Sequence, residues 1–190
     1  MKNKWTRMLW GVWIILGILS FAAEKQKIEN FSLPDYNGKS HTLSEYTSSK
    51  AIVLMFISTQ CPVSNGYNER MEQLQKEYGA KGITFLGINS NKAESMDDVK
   101  AHAKEHGFTF TILKDSKNVI ADKLQASVTP EIFVLNKNFD VLYHGRIDDS
   151  RRESEVKTKD LQWALDAILA GKPVSVQETK AFGCSIKRVS

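Results

Sequence analysis

The run Ala51-Ile-Val-Leu-Met-Phe-Ile-Ser-Thr-Gln-Cys-Pro-Val-Ser64 carries the strongest structural signal in the chain. Its first seven residues are apolar without interruption and include β-branched side chains, the pattern of a strand buried on both faces. Such a strand belongs in the centre of a mixed sheet. Cys61 follows after a short turn, and Pro62 suits the first turn of a helix because its missing N–H has no intrahelical partner there. From Val63 onward Tyr67, Met71, Leu74 and Tyr78 recur at helical spacing, and Gly79 with Gly82 closes the segment. One helix from Val63 to Tyr78 is therefore predicted, starting almost at the cysteine.

Further strands and helices alternate on the C-terminal side. Ile83-Thr-Phe-Leu-Gly-Ile-Asn89 reads as a second buried strand. Ser95 with Asp98 opens a helix that Gly107 stops near His106. A short strand from Phe110 to Leu113 and a brief helix from Lys117 to Leu124 follow. Val128-Thr-Pro-Glu-Ile-Phe-Val-Leu135 turns through Asn136-Lys-Asn138 into Val141-Leu-Tyr-His-Gly145, a hairpin. A last helix spans Thr158 to Ala170 and ends at Gly171-Lys-Pro173. On the N-terminal side, Asn37-Gly38 between two alternating stretches predicts another hairpin. Strand, helix, strand, helix implies parallel pairing through crossovers, so the fold class is α/β with a central mixed sheet flanked by helices.

The composition, 42% hydrophobic and 25% charged over 190 residues, is that of one globular domain with a short appendage rather than a disordered or fibrous chain. The appendage is residues 1–23. Lys2, Lys4 and Arg7 precede an apolar run from Met8 to Ala23, with Ser20 and Ala22 at the −3 and −1 positions of a cleavage site. It reads as a signal peptide or an uncleaved N-terminal membrane anchor, and implies an exported protein, periplasmic or held at the inner membrane. The domain is then residues 28–172, and residues 173–190 form a tail carrying Cys184. Removing the three leader cations from the 26 basic residues leaves 23 against 22 acidic ones, so the basic charge gives no reason to expect nucleic acid.

Cys61 and Cys184 are the two cysteines of the chain. A cysteine at the start of a helix has its sulfur over free backbone N–H groups, which favour thiolate, the nucleophile of disulfide exchange. Phe56-Ile-Ser-Thr-Gln-Cys61-Pro-Val-Ser64 resembles the F-W-A-x-W-C-x-x-C segment of thioredoxin-like proteins, with Cys61 on the first cysteine and Ser64 where the second would stand. Phe31-Ser-Leu-Pro-Asp-Tyr-Asn-Gly-Lys39 is similar to the opening of redoxin domains, the group of the alkyl hydroperoxide reductase and thiol-specific antioxidant proteins. Gly87-Ile-Asn-Ser-Asn-Lys92 and Tyr143-His-Gly-Arg-Ile-Asp-Asp149 look most like its bacterial peroxiredoxin-like members. The resemblance implies a thioredoxin-like fold and a cis proline at Thr129-Pro130 beside the active sulfur, where a substrate peptide pairs as a strand. It implies protein or small-molecule thiols and disulfides as partners, and no cofactor.

Cys184, in Ala181-Phe-Gly-Cys-Ser-Ile-Lys187, is the candidate resolving cysteine if the tail folds back; an unpaired thiol or an intermolecular bridge is the alternative. Thiol–disulfide exchange through Cys61 is the leading activity. A peroxidase is the first rival, but the pattern P-x-x-x-T-x-x-C has Ser58 at −3 and Leu54 at −7 here. Glu131 follows Thr129-Pro130 where such enzymes place an arginine, leaving Arg146 as the nearby substitute. A copper- or haem-handling carrier using Cys61 with Cys184 or His144 is the second rival. His102 and His106 fall on a polar helix face and are expected in solvent, as is the run from Asp148 to Asp160.

Overall fold

The computed structural model describes residues 26–189. The leader expected at residues 1–23 lies outside them. Among the described residues no helix is long and apolar enough to cross a membrane.

Strands β1 (Ser32–Pro34) and β2 (Ser40–Thr42) form the predicted hairpin, and Gly38 takes the left-handed conformation (φ 83°) that its turn requires. Next come β3 (Ala51–Phe56), the short helix α1 (Pro62–Asn65), α2 (Asn68–Gly79) and β4 (Ile83–Asn89). Helix α3 (Met96–Glu105), strand β5 (Thr111–Lys114), helix α4 (Val119–Leu124), and strands β6 (Val128–Thr129), β7 (Glu131–Leu135) and β8 (Val141–Gly145) follow. The chain closes with α5 (Asp160–Leu169) and β9 (Cys184–Ser185).

The main sheet has the order β5-β4-β3-β7-β8, so β3 is its middle strand, as its unbroken apolar run requires. It pairs in parallel with β4, Ala51 opposite Ile83 through Phe56 opposite Ile88, and antiparallel with β7, Ile52 opposite Leu135 through Phe56 opposite Glu131. Alternation along β3 divides the core in two. Ala51, Val53 and Met55 face Met71 and Tyr78 of α2 and Leu161 and Leu165 of α5. Ile52, Leu54 and Phe56 face Ile120 and Leu124 of α4, together with Ile28, Leu43 and Ile186. Ile186 brings the end of the chain into this second core.

Four expectations need correction. The single helix from Val63 to Tyr78 is two, because the backbone tightens at Gly66 and Tyr67. Tyr67 N–H bonds to Ser64 O at 2.9 Å, and Tyr67 (φ −107°, ψ −3°) leaves helical geometry so that its ring enters the core and its hydroxyl reaches Asp148. The stretch from Val128 to Leu135 is likewise two strands, since Pro130 has no N–H to continue a ladder and β6 pairs instead with β9. His102 is buried, accepting a hydrogen bond at Nε2 from Asn68 Nδ2 (3.2 Å) and packing edge-on against Phe108. Burial, with the neighbouring His106, lowers its pKa. The run from Asp148 to Asp160 has buried ends. Asp148 is bonded to Arg70 and the Tyr67 hydroxyl, and Asp160 to Arg146.

Candidate active site

Cys61 lies at the C-terminal end of the central strand, past the turn Ser58-Thr59-Gln60, and is 3% exposed. It is the N-cap of α1: its backbone is extended (φ −81°, ψ 114°), and its sulfur accepts the Ser64 N–H at 3.3 Å. A helix of one turn has little macrodipole, so local N–H groups rather than a long helix act on this sulfur.

The turn is held from below by Glu94, a buried residue that sequence reasoning missed. Its carboxylate accepts the Ser58 hydroxyl (2.5 Å), the Thr59 N–H (2.8 Å) and Asn89 Nδ2 (2.5 Å). Ser58 Oγ in turn accepts the Cys61 N–H at 3.0 Å. Lys114 Nζ, also buried, donates to Asn89 Oδ1 (2.6 Å) and to the Asn91 carbonyl (2.7 Å). Burial lowers the pKa of Lys114 against the opposing pull of Glu94 and Asp115. Glu94 lies in a polar stretch with no periodicity, so nothing in the sequence marked it as buried.

Thr129 and Pro130 border the sulfur on the other side. Their peptide bond is cis, and the Cys61 S–H donates to the Thr129 carbonyl at 3.2 Å. Glu131 is buried and clamps this loop: one oxygen accepts the Ser127 and Val128 N–H groups (2.7 and 3.1 Å), the other His144 Nε2 (2.6 Å). The His144 ring stacks on Phe133 at 4.2 Å.

Cys184 comes from the far end of the chain to the same place. β9 pairs antiparallel with β6, setting Cys184 opposite Thr129 and Ser185 opposite Val128. Cys184 thus stands beside the residue whose carbonyl accepts the Cys61 S–H. Both cysteines are free thiols, Cys61 buried and Cys184 half-buried. Gly183 permits this approach: a Cβ there would stand 2.0 Å from the Thr129 carbonyl oxygen.

The two sulfurs titrate in opposite directions. Burial acts to raise the pKa of Cys61, but the Cys184 thiol, the Ser64 N–H, the Thr129 side chain and the Cys184 N–H outweigh it and hold the group below its ordinary value. The S–H contact with the Thr129 carbonyl acts the other way, favouring the protonated thiol. Cys184 is raised, chiefly by its hydrogen bond to Cys61, then by burial and by the charge on its partner. Cys61 is thus the sulfur that ionises first.

A sequence model of the AhpC/TSA family matches residues 25–144. The chain belongs to the AhpC/TSA family. The AhpC/TSA match ends at His144, so Cys184 lies beyond it. A thioredoxin-like protein of Haemophilus influenzae is 27% identical over 127 residues, covering 65% of this chain and 73% of the relative. Peroxiredoxin Bcp of Escherichia coli K12 is 25% identical over 117 residues, 60% and 69% of the two chains. The crystal structure of a hypothetical protein from Sinorhizobium meliloti 1021 superposes with a TM-score of 0.81 at 33% identity, covering 87% of this chain and 94% of the other. The fold is thioredoxin-like. AhpC/TSA membership makes the chain a redoxin-type oxidoreductase, with thiol–disulfide exchange and peroxide reduction as the two chemistries to weigh.

The other sequence candidates are engaged elsewhere. Arg146 donates to Asp160 (2.8 Å) and Thr158 (3.3 Å). His144 is bonded to Glu131. Among the described residues no group of three or more His, Cys, Asp or Glu side chains is arranged to hold a metal ion.

Proposed function

We propose that this protein is an exported thiol–disulfide oxidoreductase in which Cys61 is the nucleophile and Cys184 the resolving thiol. The observation that carries the reading is that β9 sets Cys184 opposite Thr129, whose carbonyl accepts the Cys61 S–H, with Cys61 lowered and Cys184 raised in pKa. The Cys61 thiolate attacks a disulfide on a protein or small-molecule partner. A bond forms between Cys61 and one partner sulfur, and the other leaves as a thiolate and takes a proton. Cys184, deprotonated in turn, attacks the Cys61 sulfur, releases the partner and leaves a Cys61–Cys184 disulfide. Thr129 and Pro130 border the reacting sulfur and shape the approach to it. Export rests on the leader at residues 1–23.

Peroxide reduction has less support from these residues. The O–O bond needs donors that polarise it, yet the Ser58 hydroxyl is directed to Glu94, Glu131 follows Pro130, and the Arg146 guanidinium is held by Asp160. A variant series on reduced full-length protein tests the assignment. With a small aromatic disulfide as oxidant, Cys61→Ser is expected to abolish exchange and Cys184→Ser to accumulate a mixed disulfide on Cys61. Rapid turnover of hydrogen peroxide by the wild type, with negligible disulfide exchange, would reverse the choice.

A further inference from the structure

The charges around the two sulfurs are sorted by depth. Cys61 and Cys184 are bordered by residues 58–66, 90–94, 127–131 and 181–189, which carry three cations, Lys92, Lys187 and Arg188, and two acids, Glu94 and Glu131. Both acids are buried. Glu94 is bonded to Ser58, Thr59 and Asn89 and opposes the buried Lys114, and Glu131 is bonded to His144 and to the Ser127 and Val128 N–H groups. Arg188 is held by Asp122 at 2.7 Å. Lys92 and Lys187 are exposed, and neither forms an ion pair among the described residues. They are also neighbours. Lys92 N–H donates to Lys187 O and Lys187 N–H to Asn91 Oδ1, each at 2.8 Å, so the two residues are locked side by side just past β9. Ammonium groups on adjacent backbones repel one another, and a bound anion relieves that repulsion. The Lys187 charge also reaches the reacting pair: the Cys184 thiol, raised overall by Cys61 and by burial, is drawn down by it.

Cys61 is 3% exposed and Cys184 half-buried, so the sulfurs are recessed and suit a small substrate rather than a bulky one. We propose that Lys92 and Lys187 form a carboxylate-binding rim that selects a low-molecular-weight disulfide carrying carboxylates near its sulfurs. This names a substrate class for the exchange reading above and rests on it. The Cys61 thiolate attacks one sulfur of the acidic disulfide; the bond from Cys61 to that sulfur forms, the substrate's own S–S bond breaks, and the departing thiolate takes a proton. The Cys184 thiolate then attacks Cys61, forming the Cys61–Cys184 bond and releasing the second acidic thiolate, which is also protonated. Two electrons and the two thiol protons pass to the substrate, and an external dithiol, dithiothreitol in the assay, restores the reduced pair. Lys92 and Lys187 take no part in making or breaking bonds. They hold the substrate carboxylates beside the sulfurs and offset the repulsion between a thiolate and an anionic disulfide, which acts on the encounter rather than on the sulfur chemistry.

Competing probes of opposite charge test this. Reduced full-length protein is mixed with glutathione disulfide, which is net anionic at neutral pH, or with cystamine, which is dicationic. Loss of the Cys61 thiol is followed by acid quench and mass-spectrometric peptide mapping. The quantity read is the ratio of the anionic to the cationic rate constant, compared between proteins so that the intrinsic reactivities of the two reagents cancel. The proteins are wild type, Lys92→Glu/Lys187→Glu, and the control Lys50→Glu/Lys137→Glu. The control makes the same change of net charge at the opposite end of the sheet, where Lys50 precedes β3 and Lys137 lies in the turn between β7 and β8. The ratio should fall roughly tenfold or more in Lys92→Glu/Lys187→Glu and stay within about twofold of wild type in the control. In wild type the ratio should also fall as salt rises from about 0.02 to about 0.5 M. The salt series needs no variant, so it decides the matter if Lys92→Glu/Lys187→Glu misfolds by circular dichroism. A ratio unchanged by the rim substitutions, an equal fall in both variants, or a wild-type ratio indifferent to salt overturns the proposal. Hydroxyethyl disulfide, which is uncharged, separates the two readings. A Cys61 that reacts with it but shows no charge preference overturns the rim alone, whereas a Cys61 inert to all three disulfides overturns the exchange reading and the rim with it.

Discussion

Cys61 draws its character from its immediate donors, and this gives a direct prediction. The alkylation rate of the reduced protein plotted against pH should show its first midpoint below the roughly 8.5 of a free thiol. In Cys184→Ala that midpoint should rise, because a thiol donor is lost; an unchanged midpoint would place the effect in the Ser64 and Cys184 N–H groups and the Thr129 side chain. Glu131 offers a second test. Burial acts to raise its carboxyl, but hydrogen bonds from His144, Ser127 and Val128 win and hold it below its ordinary 4.5. A folded value below the unfolded one means stability is fully present above about pH 4.5 and is lost as the pH falls through the lower folded value. Glu131→Gln should thus be less stable than wild type at neutral pH in urea unfolding, with the gap narrowing in acid. A constant gap would show that the cost is steric. Cys61 was singled out by the strand and turn before it, and Thr129 and Pro130 by the resemblance to thioredoxin-like proteins; the fold brings these three and Cys184 to one place. Glu94 and Gly183 were not singled out, since their importance arises from what the folded chain places against them.

At the scale of elements, β3 is the member on which the others depend, being paired on both edges and packed on both faces. Leu54 is fully buried in the second core, and Leu54→Ala should cost about 2–5 kcal/mol in denaturant unfolding through the lost transfer energy and the cavity left. A loss below about 1 kcal/mol would mean that the layer repacks. The strand was readable because its apolar run has no competing interpretation at that length. The helix after Cys61 was read as one piece because the spacing of Tyr67, Met71, Leu74 and Tyr78 continues across the break at Gly66; periodicity does not register a tightened turn. His102 was misplaced for a related reason. Its helix face is polar by composition, and its burial comes from Asn68, remote in sequence, and from Phe108 just past the helix end.

The whole molecule brings two remote parts of the chain to one point, the end of the central strand and the end of the tail. The tail returns because Ile186 enters a core that β3 and α4 leave open to it, and because Arg188 and Lys187 meet Asp122 and Asn91. A disulfide between Cys61 and Cys184 would close a long loop, adding up to about 5 kcal/mol in the chain-entropy model and less where the unfolded chain keeps structure. Thermal unfolding of the oxidised form should accordingly occur at a higher temperature than that of the reduced form. The central claim, that these two thiols act as one redox pair, is tested most directly by mass-spectrometric mapping of the full-length protein after mild oxidation. One intramolecular Cys61–Cys184 disulfide and no alkylatable thiol are expected; two free thiols, or a Cys184 bridge between molecules, in protein whose Cys61 is reactive would show that the two do not form a redox pair.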